Sequence, residues 1–259
     1  MSDSPLAAAL SIAGSDPSGG AGLQLDLQVF ALHGVHGMAV PTALTVQTTQ
    51  GVRRLSPVFP SVVAEQITAV LADLRPRALK LGMLATDDIV LAVANALARW
   101  EVPRVVDPVF RASDGTFLLE QRALGNLVER LIYGAALVTP NLPEAEALVG
   151  ETDPERAAPL FLELGAEAVL VKGGHADGPP DDYLATRAGA RLWLRGERSD
   201  VGPVHGTGCA LSAAITARLA RGESLENAVR GAKAYVARAI AASRPLGKGA
   251  RVLGLSGPA

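Results

Sequence analysis

The segment RALKLGMLATDDIVLAVANALARWEVPRVVDPV, residues 77 to 109, decides the fold. A short apolar run opens it, apolar residues spaced for one face of a helix follow between Asp87 and Trp100, and a second apolar run stops at Asp107 and Pro108. Such a unit builds two parallel strands joined by a crossover helix. The same rhythm continues in both directions. Strands are expected near residues 7 to 13, 36 to 42, 78 to 82, 104 to 107, 136 to 139 and 168 to 172. Covering helices are expected over 23 to 32, 61 to 74, 87 to 100, 120 to 131, 144 to 149 and 155 to 164. Together they predict an α/β fold, a three-layer sandwich with a mostly parallel central sheet flanked by helices. Further on, DDYLAT and ARLWLR flank a turn at residues 187 to 190, the pattern of an antiparallel hairpin at the sheet edge. Two Ala-rich helices, 207 to 220 and 224 to 243, follow.

A chain of 259 residues, 49% of them hydrophobic, can bury roughly 70–75% of its unfolded surface around one core. No repeat, low-complexity tract or long linker divides it, so one domain over residues 1 to 259 is expected. The net charge is -2 and the pI about 6.1, with Lys and Arg scattered. That gives no electrostatic footprint for nucleic acid or anionic lipid, and a small-molecule substrate is expected instead. The first residues lack a basic region, and the apolar run LAAALSIAG is shorter than the about 20 residues a bilayer requires. A single cysteine, Cys209, allows no internal disulfide, and the four histidines (His33, His36, His175, His205) lack close metal-ligand spacing. A cytoplasmic location and no structural zinc are the expectations.

In open α/β sheets ligands bind beyond the carboxyl ends of the strands, so the motifs there matter most. At the first strand end stands AGSDPSGGAG, where Gly14 and Gly19 have P-loop spacing. Gly20 and Ala21 follow where a P-loop needs Lys and Ser or Thr, and G-x-G-x-x-G is not matched either, which argues against a dehydrogenase. The loop is instead poor in Cβ atoms and lets backbone approach a flat ligand. Asp26, next in line, either meets that ligand or favours a helix N-terminus electrostatically. In TPNLPEAEAL, Asn141 and Glu144 have capping-box spacing, and a carboxylate there is equally suited to ordering magnesium-bound water. Lys172, before two glycines in AVLVKGGH, suits a polyphosphate or plain solvation. Asp107 starts a turn or stands near a metal. In HGTGCA, Gly206, Thr207 and Gly208 open a helix whose free N–H groups can hold an anion or developing phosphoryl charge. Cys209 shares that positive end, which is expected to lower its thiol pKa so that a thiolate takes a proton from a substrate hydroxyl. The alternative is Thr207 capping a helix that buries a small Cys. His205 is expected to support the site from its loop.

Seven segments stand in order along nearly the whole chain: SIAGSDPSGGAGLQLDL, TALTVQTTQGV, KLGMLA, VVDPV, VTPNLPEAEAL, VLVKGGH and HGTGCALSAAI. Through them the sequence resembles the hydroxymethylpyrimidine and phosphomethylpyrimidine kinases of thiamine biosynthesis, in the ribokinase-like superfamily. The resemblance implies ATP and Mg2+ as cofactors, a homodimer, and phosphorylation of 4-amino-5-hydroxymethyl-2-methylpyrimidine and its monophosphate. By motif position, Gly206, Thr207, Gly208 and Cys209 would form the anion hole, with Cys209 as base. Lys172 would meet the ATP phosphates, Asn141 would lie close to them, and Asp107 and Glu144 would surround the magnesium ion. Asp26 and Gln47 match polar contacts to the aminopyrimidine, Gly14 its close backbone approach, and Met83 and Val109 its apolar walls. Three segments depart from the family pattern: FRASDGT after DPV, Pro203 and Val204 before HGTGC, and the tail GKGARVLGL. They bear on the second phosphorylation and on the substrate, for which a pyridoxal kinase is the rival reading and a non-catalytic nucleotide-binding regulator a more distant one.

Overall fold

The computed structural model describes residues 6 to 112, 114 to 174 and 178 to 257. His175, the last residue of the VLVKGGH segment, lies outside them. The chain forms a nine-stranded sheet of β1 (Ala8–Ser15), β2 (His36–Thr48), β3 (Gly51–Pro57), β4 (Ala78–Leu81), β5 (Arg104–Val106), β6 (Leu137–Val138), β7 (Ala168–Val171), β8 (Asp182–Thr186) and β9 (Arg191–Leu194). Its spatial order is β3-β2-β1-β4-β5-β6-β7-β8-β9. From β2 to β7 neighbouring strands are parallel, while β3 at one edge and β8 and β9 at the other are antiparallel.

Strand alternation divides the core between the two faces of this sheet. Leu10, Ile12, Leu79, Leu81, Val106, Val138, Val169 and Val171 point into one apolar cluster with α2 (Pro60–Leu74), α3 (Asp87–Leu97), α5 (Leu142–Val149) and α6 (Pro154–Glu163). Ala9, Ala78, Val105, Leu137, Ala168 and Leu170 point the other way, against α1 (Gly22–Leu32), α7 (Thr207–Ala220) and α8 (Leu225–Ala241). Small strand residues on this second face meet the Ala-rich α7, whose Ala210, Ala213, Ala214 and Ala217 have no exposed surface, so helix and sheet approach closely. Fully burying one of the large aliphatic side chains contributes about 1.5–3 kcal/mol.

Local signals fix the element ends. Thr86 accepts the Ile89 N–H at the start of α3, and Asp87 and Asp88 sit in its first turn, where negative charge complements the helix dipole. Two expectations need correction. The helix expected over 120 to 131 is a short α4 (Ala123–Asn126) that widens into a π segment over Leu127–Ile132. The strand expected to end near residue 42 runs on to Thr48 and returns as β3. Beyond Ala43 this hairpin is exposed or half-buried on both faces, so it carries no buried apolar alternation to read. Among the described residues, no helix is long and apolar enough to cross a membrane.

Candidate active site

From β1 the chain crosses through α1 to β2 on one side, whereas β4, on the other side of β1, is reached later through α2. The crevice at the carboxyl ends of β1 and β4 is therefore a topological switch point, where open sheets bind ligands. Gly14 lies there, and a Cβ on it would overlap the terminal methyl of Met83, so the bare backbone lets the methionine lie close against it. On the long β2 strand, Gln47 Nε2 lies 3.0 Å from His205 Nε2, which is also 3.0 Å from Asp16 Oδ2. The same imidazole packs over Gly20. Gly14, Met83, Gln47, Asp16 and His205 thus belong to one wall of the crevice. Val109, half-buried, follows two residues after Asp107 and donates its N–H to the Asp107 carbonyl at 2.8 Å.

A second group of residues converges from β5, β6, β7, α5 and α7. Asp107, just past β5 and without exposed surface, accepts from Lys172 Nζ at 2.8 Å and Thr139 Oγ1 at 3.1 Å on Oδ1, and from Ser212 Oγ at 3.0 Å on Oδ2. Lys172 Nζ lies 3.8 Å from Glu144 Oε2. Burial alone would push the Lys172 ammonium down, but Asp107 and Glu144 hold it well above its usual value. The capping box at α5 is present: Glu144 accepts the Asn141 N–H at 2.7 Å, and Asn141 Oδ1 accepts the Glu144 N–H at 2.9 Å. Burial, reinforced by the Asp107 charge and opposed by Lys172, pushes the Glu144 carboxyl up to about 7. A Cβ on Gly208 would sit 3.3 Å from Lys172 Nζ and 4.0 Å from Asp107 Oδ2. The first turn of α7 therefore opens beside the lysine.

Helix α7 starts because Gly206 adopts φ 80°, a left-handed conformation, and a Cβ on it would overlap the Gly20 carbonyl oxygen. Gly206 is the N-cap residue, and no side chain caps the helix, so the expected alternative of Thr207 as the cap does not hold. The N–H groups of the first turn are left for a ligand.

Two site expectations are overturned. Asp26 does not face the crevice: it has no exposed surface and binds Lys80 Nζ at 2.6 Å and Ser11 Oγ at 2.6 Å. Ser11 and Lys80 occupy the strand positions that face α1, and the buried carboxylate is their partner. The Cys209 thiol is raised, not lowered. Burial is the main cause and the carboxylates of Asp107 and Asp26 add to it, outweighing Lys80 and the Gly22 N–H. Cys209 is half-buried in the first turn of α7 and packs at the margin of the apolar cluster there.

Sequence reasoning passed over Lys80, Thr139 and Ser212. Lys80 left a signal, a lysine inside the apolar strand ALKL, because a charge at a core-facing position demands a partner. Thr139 and Ser212 are ordinary residues in their segments and left none.

The carboxylates that would hold a divalent cation are Asp107 and Glu144, and among the described residues no three His, Cys, Asp or Glu side chains gather into a metal cluster. Two carboxylates beside an uncapped helix N-terminus fit a magnesium ion that would keep waters and be held mainly by nucleotide phosphates.

A mostly parallel sheet with a buried lysine, two carboxylates and an uncapped helix N-terminus at its carboxyl edge is the arrangement of a phosphotransferase. The profile of the family described as phosphomethylpyrimidine kinase matches residues 16 to 253. A hydroxymethylpyrimidine/phosphomethylpyrimidine kinase of Synechococcus elongatus is 41% identical over 259 aligned positions, covering 95% of this chain and 96% of the relative. The solved phosphomethylpyrimidine kinase of Clostridium difficile superposes with TM-score 0.79 at 39% identity, covering 90% of this chain and 99% of its own. The Staphylococcus aureus pyridoxal kinase in complex with ADP superposes with TM-score 0.89 at 31% identity, covering 98% and 95%. The chain belongs to the phosphomethylpyrimidine kinase family. Backbone overlap is greater with the pyridoxal kinase and identity greater with the pyrimidine kinases; side chains, which identity tracks, choose the substrate.

Proposed function

We propose that the protein transfers the terminal phosphoryl group of ATP to the hydroxymethyl group of 4-amino-5-hydroxymethyl-2-methylpyrimidine, and then to the resulting monophosphate. The observation that carries this reading is the meeting of Lys172, Asp107, Glu144 and the first turn of α7 beside the crevice lined by Gly14, Met83 and Gln47. A kinase needs its two substrates aligned and the charge on the transferred group stabilised, and little else.

In this reading the pyrimidine ring lies against Gly14, with Met83 and Val109 as apolar walls and Gln47 hydrogen-bonding its nitrogens. The phosphates meet Lys172, with Asn141 near them, and the transferred group meets the N–H groups at Gly206, Thr207 and Gly208. Magnesium, held through Glu144 and Asp107 and by the phosphates, would supply neutralisation of phosphate charge. Cys209, in the same turn, is the base for the substrate hydroxyl. Because its thiol is raised, it must first lose its own proton, so the ionised fraction at neutral pH is small. A loose transition state needs the hydroxyl proton removed only late, which tolerates this.

The proposal includes a single ribokinase-like domain over residues 1 to 259 with helices in a layer on each side of the sheet. The two apolar clusters on opposite sheet faces support it. A homodimer in the cytoplasm completes it. The test is mass spectrometry of the products made from ATP with the hydroxymethylpyrimidine, its monophosphate or pyridoxal. One and two added phosphates on the pyrimidine are expected. Phosphorylation of pyridoxal alone would replace this reading with the rival one, and no turnover of any would leave a nucleotide-binding regulator.

A further inference from the structure

We infer that Asp16 and His205 are positioning residues that fix which way round the Gln47 carboxamide sits, and so set the hydrogen-bond polarity of the ring the site accepts. The inference rests on the reading above that Gln47 contacts the ring. Asp16, 2% exposed, accepts the Ser18 N–H on Oδ1 at 2.9 Å, and its Oδ2 faces His205 Nε2 at 3.0 Å. A carboxylate only accepts hydrogen bonds, so Nε2 must carry a proton, in the neutral imidazole as in the imidazolium. A lone pair there would point at an anion. Nε2–H then has no lone pair for Gln47, 3.0 Å away, and the Gln47 atom that faces it must be the carbonyl oxygen.

The opposite end of the carboxamide gives the same answer. That end lies 3.1 Å from Thr45 Oγ1, which also lies 2.9 Å from the Ser15 carbonyl oxygen. Thr45 has a single proton and the Ser15 carbonyl only accepts, so that proton goes to Ser15. The Gln47 atom at Thr45 must therefore be the donor, its NH2. The two senses of a carboxamide are isosteric, and only this network distinguishes them. With both ends committed, Gln47 retains one N–H and one oxygen lone pair in a fixed order. A ring nitrogen beside an exocyclic amine matches that pair in one polarity; the 4-oxo analogue, with ring N–H and carbonyl, presents the reverse.

Asp16→Asn tests this with little change of shape. Its Oδ1 keeps the Ser18 N–H, and its NH2 now faces His205, which calls for a lone pair on Nε2 and turns the carboxamide over, with the Thr45 proton moving from the Ser15 carbonyl to the Gln47 oxygen. The measurement is kcat and KM for the 4-amino substrate and its 4-oxo analogue, in wild type, Asp16→Asn, Gln47→Ala and the double variant. We expect the amino-over-oxo preference in kcat/KM to fall about tenfold or more in Asp16→Asn, mainly through KM, with KM for ATP little altered. The effect should vanish in the Gln47→Ala background. An unchanged preference in Asp16→Asn, or the same fall in the double variant, overturns the inference. If Gln47→Ala alone leaves the preference untouched, Gln47 does not contact the ring, and the reading beneath the inference fails instead. Nitrogen-15 NMR of the neutral His205 ring, assigned through His205→Gln, reads the wild type directly: protonation at Nε2 is expected, and protonation at Nδ1 alone refutes the argument.

Discussion

Replacing Lys80 by Met keeps an unbranched apolar stem and removes the charge from an ion pair in which neither side chain is exposed. Asp26 is then left with the Ser11 hydroxyl as its donor. Deleting one partner of a buried pair costs about 3–5 kcal/mol, because the surviving charge stays buried and uncompensated. The carboxyl escapes by taking up a proton, which makes the cost depend on pH. In the unfolded chain it ionises near about 3.9. In the folded variant its value is raised, so between the two values the folded state binds a proton that the unfolded state has lost. Stability therefore falls as pH rises, by about 1.4 kcal/mol per unit, until the folded carboxyl ionises. Urea unfolding at pH 4 and pH 7 measures this. A gap to wild type of about 3–5 kcal/mol is expected at pH 7, shrinking to about 1 kcal/mol at pH 4, with unchanged urea dependence. Combining the change with Asp26→Leu should recover about 2 kcal/mol or more at pH 7. A loss below about 1 kcal/mol at pH 7, independent of pH, would refute the claim that these charges are buried and paired.

Cys209→Ala should lower kcat by about 10^2 to 10^4 without lowering the melting temperature. Since the Cys209 thiol is raised above its ordinary value of about 8.5, the wild-type rate should climb with pH through the alkaline range; a profile flat above neutrality, or one that Cys209→Ala leaves unchanged, rules the thiol out as base. Glu144 sits near about 7, so protonation removes its charge as pH falls below that value, and activity with Mg2+ and ATP should drop on the acid side. Glu144→Gln should abolish that limb in a pH–rate profile; its persistence would place the titration elsewhere. Gly206→Ala forces a Cβ into a left-handed backbone against the Gly20 carbonyl. Thermal unfolding should show a loss of at least about 1–2 kcal/mol, and an unchanged melting temperature would contradict the packing described.

The sequence was most legible where local chemistry and burial agree. The α7 boundaries, residues 207 to 220, match the expectation, because a glycine free to turn left-handed precedes an unbroken Ala-rich run. The β8–β9 hairpin and the capping box of Asn141 and Glu144 were legible for the same reason. The β2–β3 hairpin was not, since the end of β2 and β3 leave the core and no longer follow the period a buried strand imposes. In the site, strand ends located Asp107 and Lys172, which are in contact at 2.8 Å. What failed were inferences that depend on the third dimension. Asp26 looked available because its partner lies 54 positions away in Lys80. Cys209 looked acidic because a helix end is visible in sequence, whereas the burial that mainly opposes it, and the carboxylates of Asp26 on α1 and Asp107 just past β5 that add to it, are not.

Beneath the crevice, charges of alternating sign follow one another across the sheet: Asp26, Lys80, Asp107, Lys172 and Glu144, with contacts at 2.6 Å, 2.8 Å and 3.8 Å along the row. The Lys80 and Asp107 charges also act on one another. Each interior member answers to two neighbours, so neutralising one by a single codon change strands opposite charges on either side. Single exchanges in this ionic floor should therefore cost more stability than paired exchanges that remove two adjacent opposite charges together.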